Sequence, residues 1–275
     1  MRGRLLLLLR SLIVPVAVLL LWEWLSRAGK VSPQILPPPS QVARRWVAYL
    51  LPGEPFDPSA GQSRLLWLVS GELPGDAVGS LKRVLVGFAI GAGLALPLGL
   101  VMGAKDWVYQ LFDPLVQVLR PIPPIAFIPL SILWFGLGDP PAYFLISLGA
   151  FFPVLMNTIA GVRSVDAIYI RAARNLGAGE QVLFRRVILP AATPYILTGV
   201  RVGVGVAFIV VIVAEMIAVN SGLGYRILEA REFLWSDKII AGMFTIGLAG
   251  LGIDLVMDAV NRRLLRWHRG LEQGR

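Results

Sequence analysis

The stretch Val84-Leu85-Val86-Gly87-Phe88-Ala89-Ile90-Gly91-Ala92-Gly93-Leu94-Ala95-Leu96-Pro97-Leu98-Gly99-Leu100-Val101-Met102 carries no charged side chain. A membrane-spanning helix needs about 20 predominantly apolar residues, because each adds about 1.5 Å of rise across a hydrocarbon core about 30 Å thick. Lipid offers the backbone no hydrogen-bond partners, so the segment must satisfy its own N–H and C=O groups as a helix. Small residues recur at Gly87, Gly91, Ala95, Gly99 and Gly103. That spacing places them in one stripe, along which a second backbone can approach closely. The stripe predicts a packed helix bundle and by itself carries no function.

Working outward, five further apolar spans fit the same length rule: Leu5–Leu25, Leu115–Leu137, Ala142–Val162, Thr193–Val219 and Ile239–Val260. The fifth span in chain order repeats the small stripe with Gly199, Gly203 and Ala207. The expected fold is all-α, a polytopic membrane bundle of about six transmembrane helices. Composition agrees. The chain is 56% hydrophobic and 16% charged, with a mean hydropathy of +0.70; soluble domains carry about 25% charged residues. The lipid bilayer is therefore the expected solvent for much of the surface. A net charge of +9 does not indicate a nucleic-acid partner, because the basic residues lie between apolar runs and at the chain ends rather than on one soluble face.

There is no cysteine, and the single histidine is His268. Disulfides, thiolate chemistry and Cys/His metal sites are excluded. No Ser/His, Asp/Asp or metal constellation lies within the spans, so no catalytic residue is expected and an intramembrane enzyme is disfavoured. A Gly-x-x-x-x-Gly-Lys-Ser/Thr phosphate loop is also missing from the sequence. If ATP drives this protein, another chain hydrolyses it and holds the nucleotide and its magnesium.

Arg2 and Arg4 ahead of the first span resemble the start of a signal peptide, but no small-residue cleavage site follows, which points to an uncleaved helix. Cytoplasmic loops concentrate Lys and Arg. Arg2, Arg4 and Arg10 at one end, and Arg262, Arg263, Arg266 and Arg269 at the other, place both termini in the cytoplasm. Arg163, Arg171, Arg174, Arg185 and Arg186 outnumber Asp166 and Glu180, so residues 163–190 face the same side; Asn220–Lys238 balances its charges and faces out. The first external loop fits poorly, with Arg27, Lys30, Arg44, Arg45 and Arg64 only partly offset by Glu54, Asp57, Glu72 and Asp76. After Pro37-Pro38-Pro39, Gln41–Leu51 reads as a short amphipathic helix with Ser40 as its N-cap, and the Pro/Gly-rich stretch up to Gly61 reads as irregular. The organisation expected is an N-terminal transmembrane helix plus an external loop with a short amphipathic helix (1–75) and a transmembrane core (76–275) containing the cytoplasmic segment 163–190.

The third span contains Arg120-Pro121-Ile122-Pro123-Pro124 and Pro129, followed by Trp134, Phe135, Gly136 and Gly138. Proline removes a backbone donor and kinks a helix. A kinked helix with an interfacial aromatic anchor and a break lining a water-filled path fit this segment equally well. An intramembrane charge costs about 2.5–3.5 kcal/mol on insertion scales and usually faces the bundle interior. Arg201, Glu215, Asp254 and Asp258 qualify. Arg201 and Glu215 lie about 21 Å apart along a helix axis and cannot pair; Arg201 is expected to pair with Asp258. Glu215 reads first as a hydrogen-bonded structural carboxylate and Asn157 as helix glue. Pro124, Trp134, Asn157, Arg201 and Glu215 are the candidates for a translocation path.

The segment Arg171-Ala172-Ala173-Arg174-Asn175-Leu176-Gly177-Ala178-Gly179-Glu180 favours a short helix ended by Gly177, with a second helix over Glu180–Arg186 that Pro190 limits. Composition alone reads it as a solvated amphipathic loop. Its spacing resembles the "EAA loop" of ABC importer permeases, which runs EAA, three residues, Gly, nine residues, Ile-x-Leu-Pro. Ala172, Ala173, Gly177, Leu189 and Pro190 fall in register, Val187 takes the isoleucine place, and Arg171 replaces the glutamate. Arg120-Pro121-Ile122-Pro123, Trp134-Phe135-Gly136-Leu137-Gly138, Pro194–Arg201, Ala214-Glu215-Met216 and Gly222-Leu223-Gly224 resemble the nitrate/sulfonate/taurine/bicarbonate branch, from about Leu81 to the C-terminus.

The resemblance implies a permease subunit of a bacterial inner-membrane importer for a small oxyanion. The implied partners are a second copy of the chain, two ATP-binding subunits and a periplasmic binding protein. It also implies that Arg171, Ala172, Ala173, Leu176, Gly177, Ala178, Glu180 and Pro190 form the surface coupled to the ATPase. Arg266-Trp267-His268 and the Arg171 replacement look more like taurine-type members than nitrate-type ones. A stand-alone secondary transporter or channel is the rival reading; it would be expected to show inverted repeats, and no convincing repeat is visible.

Overall fold

The computed structural model describes residues 2–53, 63, 67 and 70–265, with side chains from residue 13 onward. The loop stretch expected to be irregular and the tail bearing His268 lie largely outside these residues. Among the described residues the regular elements are helices: α1 (Arg2–Arg27), α2 (Pro39–Leu50), α3 (Glu72–Ala104), α4 (Asp106–Leu119), a 3-10 turn (Pro124–Phe127) leading into α5 (Ile128–Phe135), α6 (Asp139–Arg163) and α7 (Ala167–Asn175). Then follow α8 (Glu180–Leu183), a π-helical turn (Phe184–Ile188), α9 (Leu189–Ile217), α10 (Leu223–Glu232) and α11 (Ser236–Leu264).

Four of the described helical stretches are long and apolar enough to cross a membrane, namely α3, α6, 180–217 and α11. A fifth counts if α4 and 124–135 form one broken span. The expected first span is helical within α1, but its side chains through residue 12 are outside the described set. The expected third span, Leu115–Leu137, is not one continuous helix. Two helices meet there at 81°. Pro121, Pro123 and Pro124 supply no N–H, and a residue preceding proline is driven out of the α region, as the extended ψ of 136° at Pro123 records.

Pro190 does not limit the second cytoplasmic helix either, because residues 180–217 are continuous. In a regular α-helix the Pro190 ring would crowd the carbonyl four residues back. The π turn widens the helix just ahead of it, with the Leu189 N–H bonded to the Phe184 carbonyl.

Contacts divide the chain into two compact units, 1–78 with 221–247 and 79–220 with 248–275. In the second unit α6 is the central element, with Leu145, Ile146, Ala150, Val154 and Leu155 at 1% exposure or less. A Cβ placed on Gly87, Gly91, Gly99 or Gly103 of α3 would come within 2.3–2.8 Å of α6 atoms. One on Gly199 or Gly203 of α9 would come within 2.6–2.9 Å of Asn157 or Val154 of α6. Both small-residue stripes thus press against α6, which is what lets three helices share one dry core.

In the first unit, the expected Ser40 cap is corrected. Pro39 occupies the first turn of α2 without an N–H to offer, and the Ser40 N–H and hydroxyl both donate to the Glu23 carboxylate, at 3.0 and 2.8 Å. α2 docks by specific contacts: Arg45 to Asp237 at 2.9 Å, Trp46 Nε1 to Thr245 at 2.9 Å, and the Trp46 ring edge-on to Phe244. Asp76 accepts from the Gly222 N–H at 2.9 Å, capping α10, and from Arg226 at 2.8 Å. Burial is the largest single influence on the Arg226 pKa and works to lower it, but the Asp76 hydrogen bond and the charges of Asp76, Glu72 and Glu229 together outweigh it, and the net shift is upward.

Candidate functional site

The cytoplasmic segment is built around α7. The Asp166 carboxylate accepts from the Ile168 N–H at 2.8 Å, capping the start of the helix. At the other end Gly177 adopts φ +80°, the Gly177 N–H bonds to Arg174 O at 2.9 Å, and the Ala178 N–H bonds to Ala173 O at 3.0 Å. That pair of bonds is a Schellman motif, which requires a left-handed residue at its turn. A Cβ at Gly177 would meet nothing within 4 Å, so the demand on this position is conformational rather than steric. Arg174 pairs with Glu180 at 2.9 Å across the turn; both are exposed, and such a pair contributes about 0–1 kcal/mol.

Arg171, Ala172, Gly177 and Glu180 are exposed, and Ala173, Ala178 and Pro190 are half-buried. Leu176 is 88% exposed, and Ile168 and Tyr169 are exposed as well. A capped, rigid helix therefore presents apolar side chains to its surroundings.

The second feature is a cavity of about 360 Å³ beside the broken span, lined by Arg120, Pro124, Phe152, Met156, Asn157 and Val206 among others. The break at 120–123 positions Arg120 and Pro124, while α6 and α9 supply the wall. Asn157 donates Nδ2–H to Pro153 O at 2.8 Å, a bond that uses a donor of the amide and not its carbonyl oxygen. Of the path candidates, the structure brings together Pro124 and Asn157. Trp134 stands apart in an aromatic cluster, 5.8 Å from the Phe144 ring.

Glu215 is fully buried and also outside the cavity. It accepts from Arg83 Nη1 at 2.7 Å and from the Ser80 hydroxyl at 2.8 Å, and Arg83 further bonds Asp139 at 2.7 Å. Arg83 was missed in the sequence because the apolar run begins one residue later, although α3 starts well before it. Arg201 pairs most closely with Asp254, at 2.7 Å, and also reaches the expected partner Asp258, at 4.0 Å. Asp258 is also engaged by Arg262 one turn along α11. Among the described residues no cluster of three or more His, Cys, Asp or Glu side chains could hold a metal.

The model of the family described as "Binding-protein-dependent transport system inner membrane component" matches residues 95–269. The chain belongs to this family. This permease is 36% identical to the taurine transport system permease protein TauC of Escherichia coli, over 92% of this chain and 88% of that one. It is 33% identical to the nitrate import permease protein NrtB of Synechocystis sp., over 88% and 84%. The MetNI methionine ABC transporter in inward-facing conformations shares its fold, with a TM-score of 0.62 at 17% identity over 74% of the permease and 99% of that chain. The permease is thus an inner-membrane transport component of an ABC importer. Its family works with ATP-binding subunits, which carry the ATP hydrolysis, and with a substrate-binding protein.

Proposed function

We propose that two copies of this permease form the membrane path of an importer for a small oxyanion of the taurine, alkanesulfonate or nitrate class. Two separate ATP-binding subunits hold ATP and magnesium, and a periplasmic protein delivers the solute. The names of the TauC and NrtB relatives support the solute class. Both termini and residues 163–190 face the cytoplasm. The excess of Arg there supports this, and so does the first unit, where Arg45 is neutralised by Asp237 and weighs less against an external loop.

The observation that carries the mechanism is the exposed, capped helix α7. Arg171, Ala172, Ala173, Leu176, Gly177, Ala178 and Glu180 form the face that seats on the ATP-binding subunit. The continuous helix from Glu180 through Pro190 into α9 passes the motion to the cavity, where Pro124 and Asn157 line the path. Trp134, Arg201 and Glu215 serve packing and pairing. ATP binding favours one arrangement of the two copies and the liganded binding protein engages it, so differential affinity for inward and outward states drives alternating access.

Gly177→Val tests this reading in the assembled complex. A β-branched residue at φ +80° is strained, so ATPase stimulation and uptake should both fall about tenfold while the protein still inserts and extracts at normal yield. Unchanged stimulation and uptake would sink the coupling assignment.

A further inference from the structure

Arg120 belongs to the Arg-Pro-Ile-Pro motif, yet no role described so far uses it. It lines the cavity, where it is the charged member of a wall otherwise built from apolar side chains and Asn157. The lining residues of α6 run from Leu148 to Asn157 within Asp139–Arg163, and Val202 and Val206 lie near the middle of α9. Both helices are long and apolar enough to cross the membrane, and the cavity lies near the middle of their length. A charge at that level is expected to be paired or to serve a ligand. The other intramembrane cations have partners: Arg83 holds Glu215 and Asp139, and Arg201 holds Asp254. No carboxylate stands among the residues lining this cavity.

We propose that Arg120 is the anion-recognising residue of a mid-membrane binding site for a small organic oxyanion, with a sulfonate as the favoured class. A planar guanidinium offers paired donors to the oxygens of one headgroup. Phe152, Met156, Val202 and Val206 accept an aliphatic body, and the Asn157 carbonyl can accept from a donor at the far end. The volume of about 360 Å³ falls in the range of small-molecule sites. Nitrate has no apolar body to use this wall, so the site favours an organic sulfonate over nitrate. This deepens the importer reading and rests on it.

The chain has no cysteine, which permits a chemical rescue. The complete importer, assembled from R120C permease and cysteine-free partner subunits, is reconstituted in proteoliposomes. Labelled taurine, butanesulfonate and nitrate are the probes. R120C should lower uptake of taurine and butanesulfonate at least about tenfold, as expected for losing a charge-assisted pair. ATPase stimulation by the liganded binding protein should stay within about twofold. Aminoethyl methanethiosulfonate, which restores a cation on the same folded protein, should recover most of the uptake, and the sulfonatoethyl reagent should not.

The proposal is overturned if R120C transports like wild type, if stimulation falls in step with uptake, or if both reagents rescue equally. Wild type that moves nitrate but neither sulfonate overturns the organic class. Wild type that moves none of the three while its ATPase is stimulated overturns the oxyanion importer reading itself, and this site with it.

Discussion

Glu215 shows how one side chain can hold several helices. Its carboxylate is at 0% exposure and is shared by Arg83 and Ser80 of α3, while Arg83 also reaches Asp139 at the start of α6. Removing one partner of a buried pair leaves an uncompensated charge and destabilises by about 3–5 kcal/mol, more than the pair itself contributes. Arg83→Ala should therefore lower unfolding stability in mixed micelles by that amount. Replacing Arg83 and Glu215 together by Leu should recover part of the loss. A double variant as damaged as the sum of the single ones would show that the two residues act independently. Gly177 is demanding for a different reason. Its neighbourhood is open, and only its backbone angle restricts it, so Gly177→Asn should be milder than Gly177→Val because Asn tolerates the left-handed region.

At the level of elements, the two stripes of small residues set how closely α3 and α9 approach α6. A Cβ at Gly91 would lie 2.3 Å from the Ser147 carbonyl oxygen, whereas one at Gly93 would meet nothing within 4 Å. Gly91→Ala must push backbones apart, and overpacking of this kind costs about 1–3 kcal/mol or more. Gly93→Ala should be neutral or slightly stabilising, since Ala is the better helix former. Thermal unfolding of the two purified variants separates these outcomes, and equal midpoints would refute the tight contact. The break after α4 and the π turn before α9 are the other two decisions at this scale. Both follow from proline, by opposite routes: three closely spaced prolines turn the chain through 81°, and a lone Pro190 is absorbed by a widened turn.

At the scale of the whole molecule, orientation is the property most directly open to measurement. The absence of cysteine allows single-cysteine mapping with a membrane-impermeant maleimide. Lys30→Cys should label in intact cells, and Arg263→Cys only after permeabilisation. The reverse pattern would invert the topology and remove α7 from the cytoplasm.

Sequence alone determined the helical class, the main spans and the position of the turn at Gly177. Hydrocarbon length, proline and left-handed glycine are local constraints, acting on a run of residues without regard to what packs against it. The tertiary structure alone decided which charges meet. Arg83 answers Glu215, Asp254 meets Arg201 more closely than Asp258 does, and Arg120 and Asn157 line one cavity. Helix rotation and the angle of a broken span bring residues far apart in the chain within a few ångströms of each other. Periodicity along a single strand of sequence does not contain those two quantities.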